Sequence, residues 1–218
     1  MKRYFFILLV LVLISCKKEN NDVGTYPSTL KLEHMPLAVG NYWVYEYYYV
    51  DTALGIDKKL SSRDSIVVTN DTVINGKVYF VRRGATYTTV ASNFLLKDIV
   101  RDSSGFLVNE KGVILFAENN FVDTFNTWYF VLGANDTVAK IFYNMEMYLG
   151  QTLTPSGNYL DGLNCKETVI QYVQDSSFTK YNKNLYVKNV GMVLKSYFFA
   201  GPQVTDWIEL RLAKYHIQ

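Results

Sequence analysis

The chain has 218 residues, and its 22 lysines and arginines against 20 aspartates and glutamates give no support to nucleic-acid binding, which usually needs a basic excess. With two cysteines and two histidines, the sequence predicts no disulfide framework, no metal site and no cofactor. Eighteen tyrosines, thirteen phenylalanines and three tryptophans, with only four prolines, favour a mainly β protein.

The chain begins with a short apolar block that follows two basic residues and ends at a cysteine. Lys2 and Arg3 precede the block, which closes with Leu13-Ile14-Ser15-Cys16. A basic start, a short apolar core and a small residue before the cleavage point are typical of a secretory signal. The block is also shorter than the roughly 20 apolar residues that span a bilayer. We therefore predict a signal peptide over residues 1–15, which leaves 20 basic and 20 acidic residues in the mature chain.

Leu13-Ile14-Ser15-Cys16 resembles the lipobox of bacterial lipoproteins, in which the cysteine is acylated and becomes the first residue of the mature chain. The resemblance implies that Cys16 anchors the protein to the outer membrane. The polar residues that follow predict a flexible tether over residues 16–34. Within it, Lys17 to Asp22 partly resembles the acid-containing signal that displays Bacteroidetes lipoproteins on the cell surface. A plain solvated linker is the alternative, so the periplasmic and surface faces both stay open.

Residues 35–218 are predicted to form a single antiparallel β domain, which opens with an aromatic strand. In this strand Trp43, Tyr45, Tyr47 and Tyr49 share one face. Core packing is our first interpretation of that face, and an exposed platform that stacks on sugars is the alternative. The segment from residue 36 to residue 45 resembles the "PLxxGNYWVY" opening of a group of Bacteroidetes lipoproteins without an assigned function. The resemblance implies a β-rich fold and brings no catalytic residue with it.

Short strands and tight turns continue through the rest of the domain. Asn75-Gly76 between β-branched runs predicts a type I′ hairpin. A loop is predicted at residues 154–158 and 161–162, and a helical turn around Phe142 is an alternative to one strand. Val190-Gly191-Met192-Val193 and the closing strand again resemble the same lipoproteins. The predicted strands are residues 42–49, 65–74, 77–83, 94–101, 106–108, 113–116, 128–132, 138–149, 166–174, 184–190, 192–199 and 207–215.

The connections between these strands are too short for parallel crossovers and predict an antiparallel meander. Alternating faces favour a strongly curved sheet or a partly closed barrel, with a β-sandwich as the alternative.

Candidate site residues are few. Cys165 is predicted to fill the core, because a catalytic thiol requires a histidine nearby and the sequence places neither of its two histidines close to this residue. Four Asp-Ser/Thr-apolar triplets resemble the O-glycosylation site of exported Bacteroidetes proteins, although such triplets are also ordinary turns that enter strands. The residues they would modify are Thr52, Ser65, Thr72 and Thr137.

A glycan hydrolase would need two carboxyl groups about 5–10 Å apart. Most glutamates alternate with apolar residues, as solvent-facing strand positions do, and we predict that the protein is not an enzyme. The candidates are Glu46, Glu110, Glu118, Glu146, Glu167 and Glu209.

Together these features predict a lipid-anchored protein of the cell envelope that serves as a non-catalytic binding or assembly module. Its expected partners are the membrane, through the N-terminal lipid, and a glycan, an apolar ligand or another envelope protein. Two alternatives are a glycan-acting hydrolase and a carrier of a lipid or other apolar ligand in the curved sheet.

Overall fold

A computed structural model describes residues 31–87, 95–132, 136–173, 176–199 and 205–218, which form thirteen β-strands and no helix. None of these segments offers a helix with the length and apolar character needed to cross a membrane. The predicted signal peptide, Cys16 and the tether up to residue 30 lie outside the described residues. So do Phe94 and Gln174, each at one end of a predicted strand.

The thirteen strands are numbered in chain order. They are β1 (Tyr42–Asp51), β2 (Ile56–Ile74), β3 (Lys77–Tyr87), β4 (Leu95–Asp102), β5 (Phe106–Asn109), β6 (Ile114–Ala117), β7 (Asn126–Leu132), β8 (Asp136–Thr154), β9 (Gly157–Val173), β10 (Ser176–Asn182), β11 (Asn184–Val187), β12 (Gly191–Phe198) and β13 (Asp206–His216).

All of these strands belong to one antiparallel sheet in the order β6-β5-β4-β3-β2-β1-β13-β12-β11-β9-β8-β7, with β10 paired to β9. The sheet curls until its two edge strands, β6 and β7, face each other across an unsealed seam. Among the described residues the side chain of Asn126 bridges the seam, donating from Nδ2 to the carbonyl of Ile114 at 3.0 Å. The predicted partly closed barrel is confirmed, and the sandwich alternative is wrong because one continuous sheet encloses the core.

The pairing of β1 with β13 joins two meanders into this sheet. Tyr42 lies opposite His216, and Asp51 lies opposite Asp206. On its other side β1 pairs with β2. A strand near the start of the domain therefore lies at the centre of the sheet, next to one from its last part.

β1 also defines the two open ends of the barrel. We call the end where Tyr42 pairs with His216 the near end, and the end where Asp51 pairs with Asp206 the far end. Ten residues in extended conformation separate the two ends by about 30 Å.

The Asn75-Gly76 hairpin is confirmed. Ile74 pairs with Lys77, and the two turn residues have φ of 51° and 73°, which a type I′ turn requires. β2 begins at Ile56 and is much longer than the predicted strand, which began at residue 65. The prediction missed the first half because it is polar and shows little alternation of apolar residues.

The loop predicted around residues 154–162 is wrong over most of its length, because β8 runs to Thr154 and β9 begins at Gly157. Asp161 has a φ of 54°, and the β8–β9 register shifts between Tyr148 and Gln151. These residues form an irregularity within a long hairpin and not a loop. The helical alternative for β8 is wrong as well, since Phe142 pairs with Thr127 and Thr168.

The last residues that we assigned to the tether pack on the domain. Leu32 is buried in the core, and its backbone N–H donates to Asp102 Oδ2 at 2.9 Å. The Glu118 carboxylate accepts from the backbone N–H groups of Glu33 and His34 and contacts His34 Nδ1 at 2.8 Å. The packed domain thus includes residue 32, which a single leucine among polar residues did not reveal.

Candidate functional site

The inside of the curled sheet contains a small apolar cavity, which we call the apolar chamber. It has a volume of about 160 Å³ and lies between the two core clusters of the domain. Its one charged lining group, Arg82, forms a two-point ion pair with Asp98 at 2.9 and 2.6 Å. The chamber is lined by Met35, Trp43, Tyr45, Ile66, Arg82, Leu107, Leu115, Phe116, Tyr186 and Met192.

Two aromatic residues of β1 hold the wall of this chamber in place. Trp43 Nε1 donates to the carbonyl of Val190 at 2.6 Å, and the Tyr45 hydroxyl donates to the carbonyl of Met192 at 3.0 Å. A Cβ on Gly191 would lie 2.8 Å from Trp43 Nε1, so this position admits only glycine without a shift of the ring. β1 is thereby fixed against the β11–β12 turn.

The predicted aromatic face is thus an interior surface. Trp43 and Tyr45 are 6% and 2% exposed, whereas Tyr47 and Tyr49 are half-buried. The hydroxyls of Tyr47 and Tyr49 donate to Asp64 and Asp206, respectively. These positions match core packing and leave the first two rings unavailable as an exposed sugar-stacking platform.

A second cavity of about 180 Å³, the polar chamber, adjoins the first and shares Leu115 and Tyr186 with it. Its lining includes residues of both seam strands, β6 and β7. Along β12, Met192 lines the apolar chamber and Lys195 the polar one, so the polar chamber lies closer to the far end. It is lined by Leu115, Asn126, Trp128, Tyr143, Cys165, Glu167, Asn184, Tyr186 and Lys195.

The two charged groups of the polar chamber, Glu167 and Lys195, differ in how far their hydrogen-bonding capacity is used. Both oxygens of Glu167 accept hydrogen bonds, from the Tyr143 hydroxyl at 2.9 Å and from Asn182 Nδ2 at 2.6 Å. The Lys195 ammonium lies 4.6 Å from the centre of the Tyr197 ring and forms no ion pair within the described part of the chain. The Lys195 ammonium therefore keeps its donors for a ligand, whereas both oxygens of Glu167 already accept a hydrogen bond.

A further buried acceptor belongs to β2. Asp64 Oδ2 accepts from the Tyr47 hydroxyl at 2.9 Å, while its Oδ1 is buried without a partner among the described residues. Burial and the neighbouring Asp64 carboxylate raise the pKa of the Tyr47 phenol, so Tyr47 stays protonated and keeps donating. An unsatisfied buried carboxylate oxygen is costly in a folded protein. Asp64 lines neither of the two chambers.

Cys165 is buried in the core, as the sequence predicted, and burial raises the pKa of its thiol to about 12. The thiolate is the reactive form of cysteine. We expect Cys165 to resist thiol reagents at pH 8 in the folded protein and to react rapidly in denaturant. The folded pKa lies above the usual 9.0, so this thiol favours folding below pH 9 and loses that contribution as pH rises toward 12. Absorbance of a thiol-reactive dye with and without denaturant measures both states, and rapid native-state labelling would contradict the prediction.

The six candidate glutamates do not form one cluster, and most of them bind separate neighbouring side chains or backbone groups. The prediction that they mostly face solvent is wrong for Glu46 and Glu118, which are buried. Glu46 pairs with Lys59 at 2.6 Å, and Glu146 pairs with Lys166 at 2.8 Å. Glu209 binds Trp207 and Arg211, whereas Glu110 is exposed. No hydrogen bond or ion pair recorded for the described residues joins two of these carboxylates.

The four triplet residues differ in accessibility. Thr52 and Thr137 are exposed, while Ser65 and Thr72 are half-buried. Exposure makes Thr52 and Thr137 the better acceptors for the predicted O-glycosylation. Within the described ranges no group of three or more metal-ligating side chains comes together.

Comparison with known proteins bears on the fold. No protein-family model matches the sequence, and no curated protein matches it. A "putative lipoprotein" from Parabacteroides distasonis is similar in structure, with a TM-score of 0.51 and 15% identity over 85% of this chain and 99% of that one. A "putative exported protein with YmcC-like fold" from Bacteroides fragilis has a TM-score of 0.50 and 14% identity over 84% of this chain and 98% of that one. At such low identity the likeness establishes a shared fold.

Proposed function

We propose that this chain is a lipid-anchored protein of the bacterial cell envelope that binds a small, largely apolar ligand inside its curled sheet. The resemblance of Leu13-Ile14-Ser15-Cys16 to a lipobox supports the anchor at the outer membrane. Two proteins of the same fold, described as a "putative lipoprotein" and a "putative exported protein", are consistent with the envelope. The observation that carries the ligand-binding part is the apolar chamber beside the seam.

The size of the apolar chamber limits the ligand. An apolar protein cavity of about 150 Å³ stays dry and holds a molecule such as benzene. Typical small-molecule pockets of about 300–1,000 Å³ are larger than this one. A ring or a short alkyl segment therefore fits the chamber as it stands, with a volume of about 160 Å³.

The adjoining polar chamber gives the ligand a direction. Its Lys195 ammonium is free to donate, whereas the Glu167 carboxylate is already satisfied. An acidic or hydroxyl group at one end of the ligand would bind Lys195, while the apolar end lies against Trp43 and Met192. The ligand would enter along the unpaired seam, since Leu115 of β6 lines both chambers and strand residues of β7 line the polar one.

The alternative of a glycan hydrolase gains no support from the contacts of its candidate glutamates. Glu46, Glu118 and Glu146 are engaged by cations or backbone N–H groups, and Glu167 by two neutral donors. We therefore place binding ahead of catalysis.

Titration of the chain from Lys17 onward with hexanol and hexanoate, followed by NMR, tests the binding proposal. We expect both ligands to shift resonances of the chamber residues. Met192→Trp fills the apolar chamber and should weaken binding by about tenfold, or 1.4 kcal/mol. Leu54→Trp, at an exposed position in the β1–β2 turn, is the matched control and should bind like the wild type.

The polar end has its own variant in the same titration. Hexanoate should bind more tightly than hexanol to the wild type, and Lys195→Met should remove that difference. Thermal unfolding of each variant checks that it is folded. If neither ligand shifts the chamber resonances, or if Met192→Trp binds as well as Leu54→Trp, the interior-ligand proposal is contradicted.

A further inference from the structure

Large apolar side chains are exposed at the near end of the barrel, around a cleft of about 490 Å³. Phe121, Met147 and Leu160 line this cleft and are 45%, 60% and 69% exposed. Val122 and Leu149, close to them along the chain, are exposed as well. We call these five residues the near-end patch. A soluble domain rarely leaves so many large apolar side chains together in water unless the surface makes a contact.

The charged groups around the patch mostly neutralise one another. Glu33 pairs with Lys188 at 2.7 Å, and His34 contacts Glu118 at 2.8 Å. Of the ionisable residues that line the cleft, Asp161 is the one without an ion pair among the described residues. A surface whose charges are internally paired is suited to an apolar environment more than to a strongly charged partner.

The tether joins the domain at the same place. Glu33 and His34, the first residues to pack after Leu32, line the cleft together with the apolar side chains. Residues 17–30 can span at most about 50 Å even when fully extended. The predicted flexible tether has an average end-to-end distance of about 20 Å. Because this is shorter than the roughly 30 Å between the two ends of the barrel, whatever holds residue 16 lies on average closer to the near end than to the far end.

We propose that the near-end patch rests on the lipid bilayer to which the protein is anchored, so that the barrel stands on the membrane with its far end outward. This inference depends on the proposed anchor at Cys16, and it adds the surface and the orientation. Once the lipid is inserted, the near-end patch is held at a high effective concentration near the bilayer. A weak apolar contact between the patch and the bilayer is therefore enough to keep the domain docked. Val73 and Val78, next to the β2–β3 turn, are also exposed at this end of the barrel.

A second copy of the chain is the competing occupant of the same patch. The position of the tether favours the bilayer, because it holds the patch at a high effective concentration near lipid, whereas a partner copy has to be met by diffusion. The experiment below separates the two occupants.

Site-specific fluorescence quenching on vesicles tests this orientation. The lipidated protein carrying Leu160→Cys is labelled with an environment-sensitive dye and reconstituted into phosphatidylethanolamine–phosphatidylglycerol vesicles with nitroxide-labelled acyl chains. The matched control is Leu54→Cys, equally exposed but in the turn at the far end. The buried Cys165 thiol, with its raised pKa, stays unlabelled in both proteins.

We expect quenching at position 160 to be several-fold stronger than at position 54. Equal, weak quenching at both positions on vesicle-bound protein would overturn the inference and leave the anchor standing. Failure of the wild-type protein to stay on vesicles contradicts the anchor and, with it, this orientation. Dye self-quenching at position 160 that rises with protein density, without nitroxide quenching, would assign the patch to a second copy and overturn the inference.

Discussion

Tyr45→Ala is expected to lower the free energy of unfolding by about 3–5 kcal/mol, the usual cost of removing a buried aromatic side chain. Tyr45 is 2% exposed and packs where β1, β12 and the apolar chamber meet. Truncation would enlarge the chamber and also leave the carbonyl of Met192 without its donor. Urea denaturation of the chain from Lys17 onward, followed by tryptophan fluorescence, measures the change.

Tyr45→Phe separates packing from hydrogen bonding in this experiment. It keeps the ring and loses only the hydroxyl that donates to Met192 at 3.0 Å, so we expect a cost of about 1 kcal/mol. A loss for Tyr45→Ala no larger than that for Tyr45→Phe would mean that the ring is not part of a packed core.

Cys16→Ala is expected to abolish incorporation of fatty acid into the protein. The lipobox resemblance makes this thiol the site of acylation, and Ala offers no group to acylate. Metabolic labelling with an alkyne fatty acid, followed by detection on a gel, measures the effect.

Cys165→Ala is the control for this labelling, because Cys165 is the one other cysteine of the sequence and is buried. It should retain full labelling. Label that persists in Cys16→Ala, or wild-type protein that never labels, would refute the predicted lipidation and remove the basis for an anchored orientation.

Local sequence signals predicted most of the strands and turns. Asn75-Gly76 has the φ values that its hairpin demands. The alternation of apolar and polar residues did not predict strands correctly where a strand is irregular. Asp161-Gly162 has the composition of a turn but lies inside β9, where the backbone oxygen of Tyr186 approaches Gly162 too closely for a Cβ.

Long-range pairing was beyond the reach of local patterns. The opening strand and the Val190-Gly191-Met192 segment were recognised as two separate resemblances. In the structure they touch, because Trp43 and Tyr45 donate to the carbonyls of Val190 and Met192. Nothing in either segment alone indicates the other as its partner.

The candidate site was only partly predictable for the same reason. The aromatic face of β1 was found, but the chamber needs walls from six other strands. Its polar neighbour depends on Lys195, which forms no ion pair among the described residues. Buried glutamates were also missed. Glu118 follows β6 in a polar stretch, and only the fold shows that it holds the backbone of Glu33 and His34.

The central position of β1 has a consequence for how the chain acquires its structure. Tyr49 binds Asp206 across 157 residues of sequence, so one edge of β1 stays open until β13 is available. Contacts of such large sequence separation slow folding, and unpaired edges invite association in the meantime. For the exported protein that we propose, the same delay would keep the barrel open until β13 has crossed the membrane.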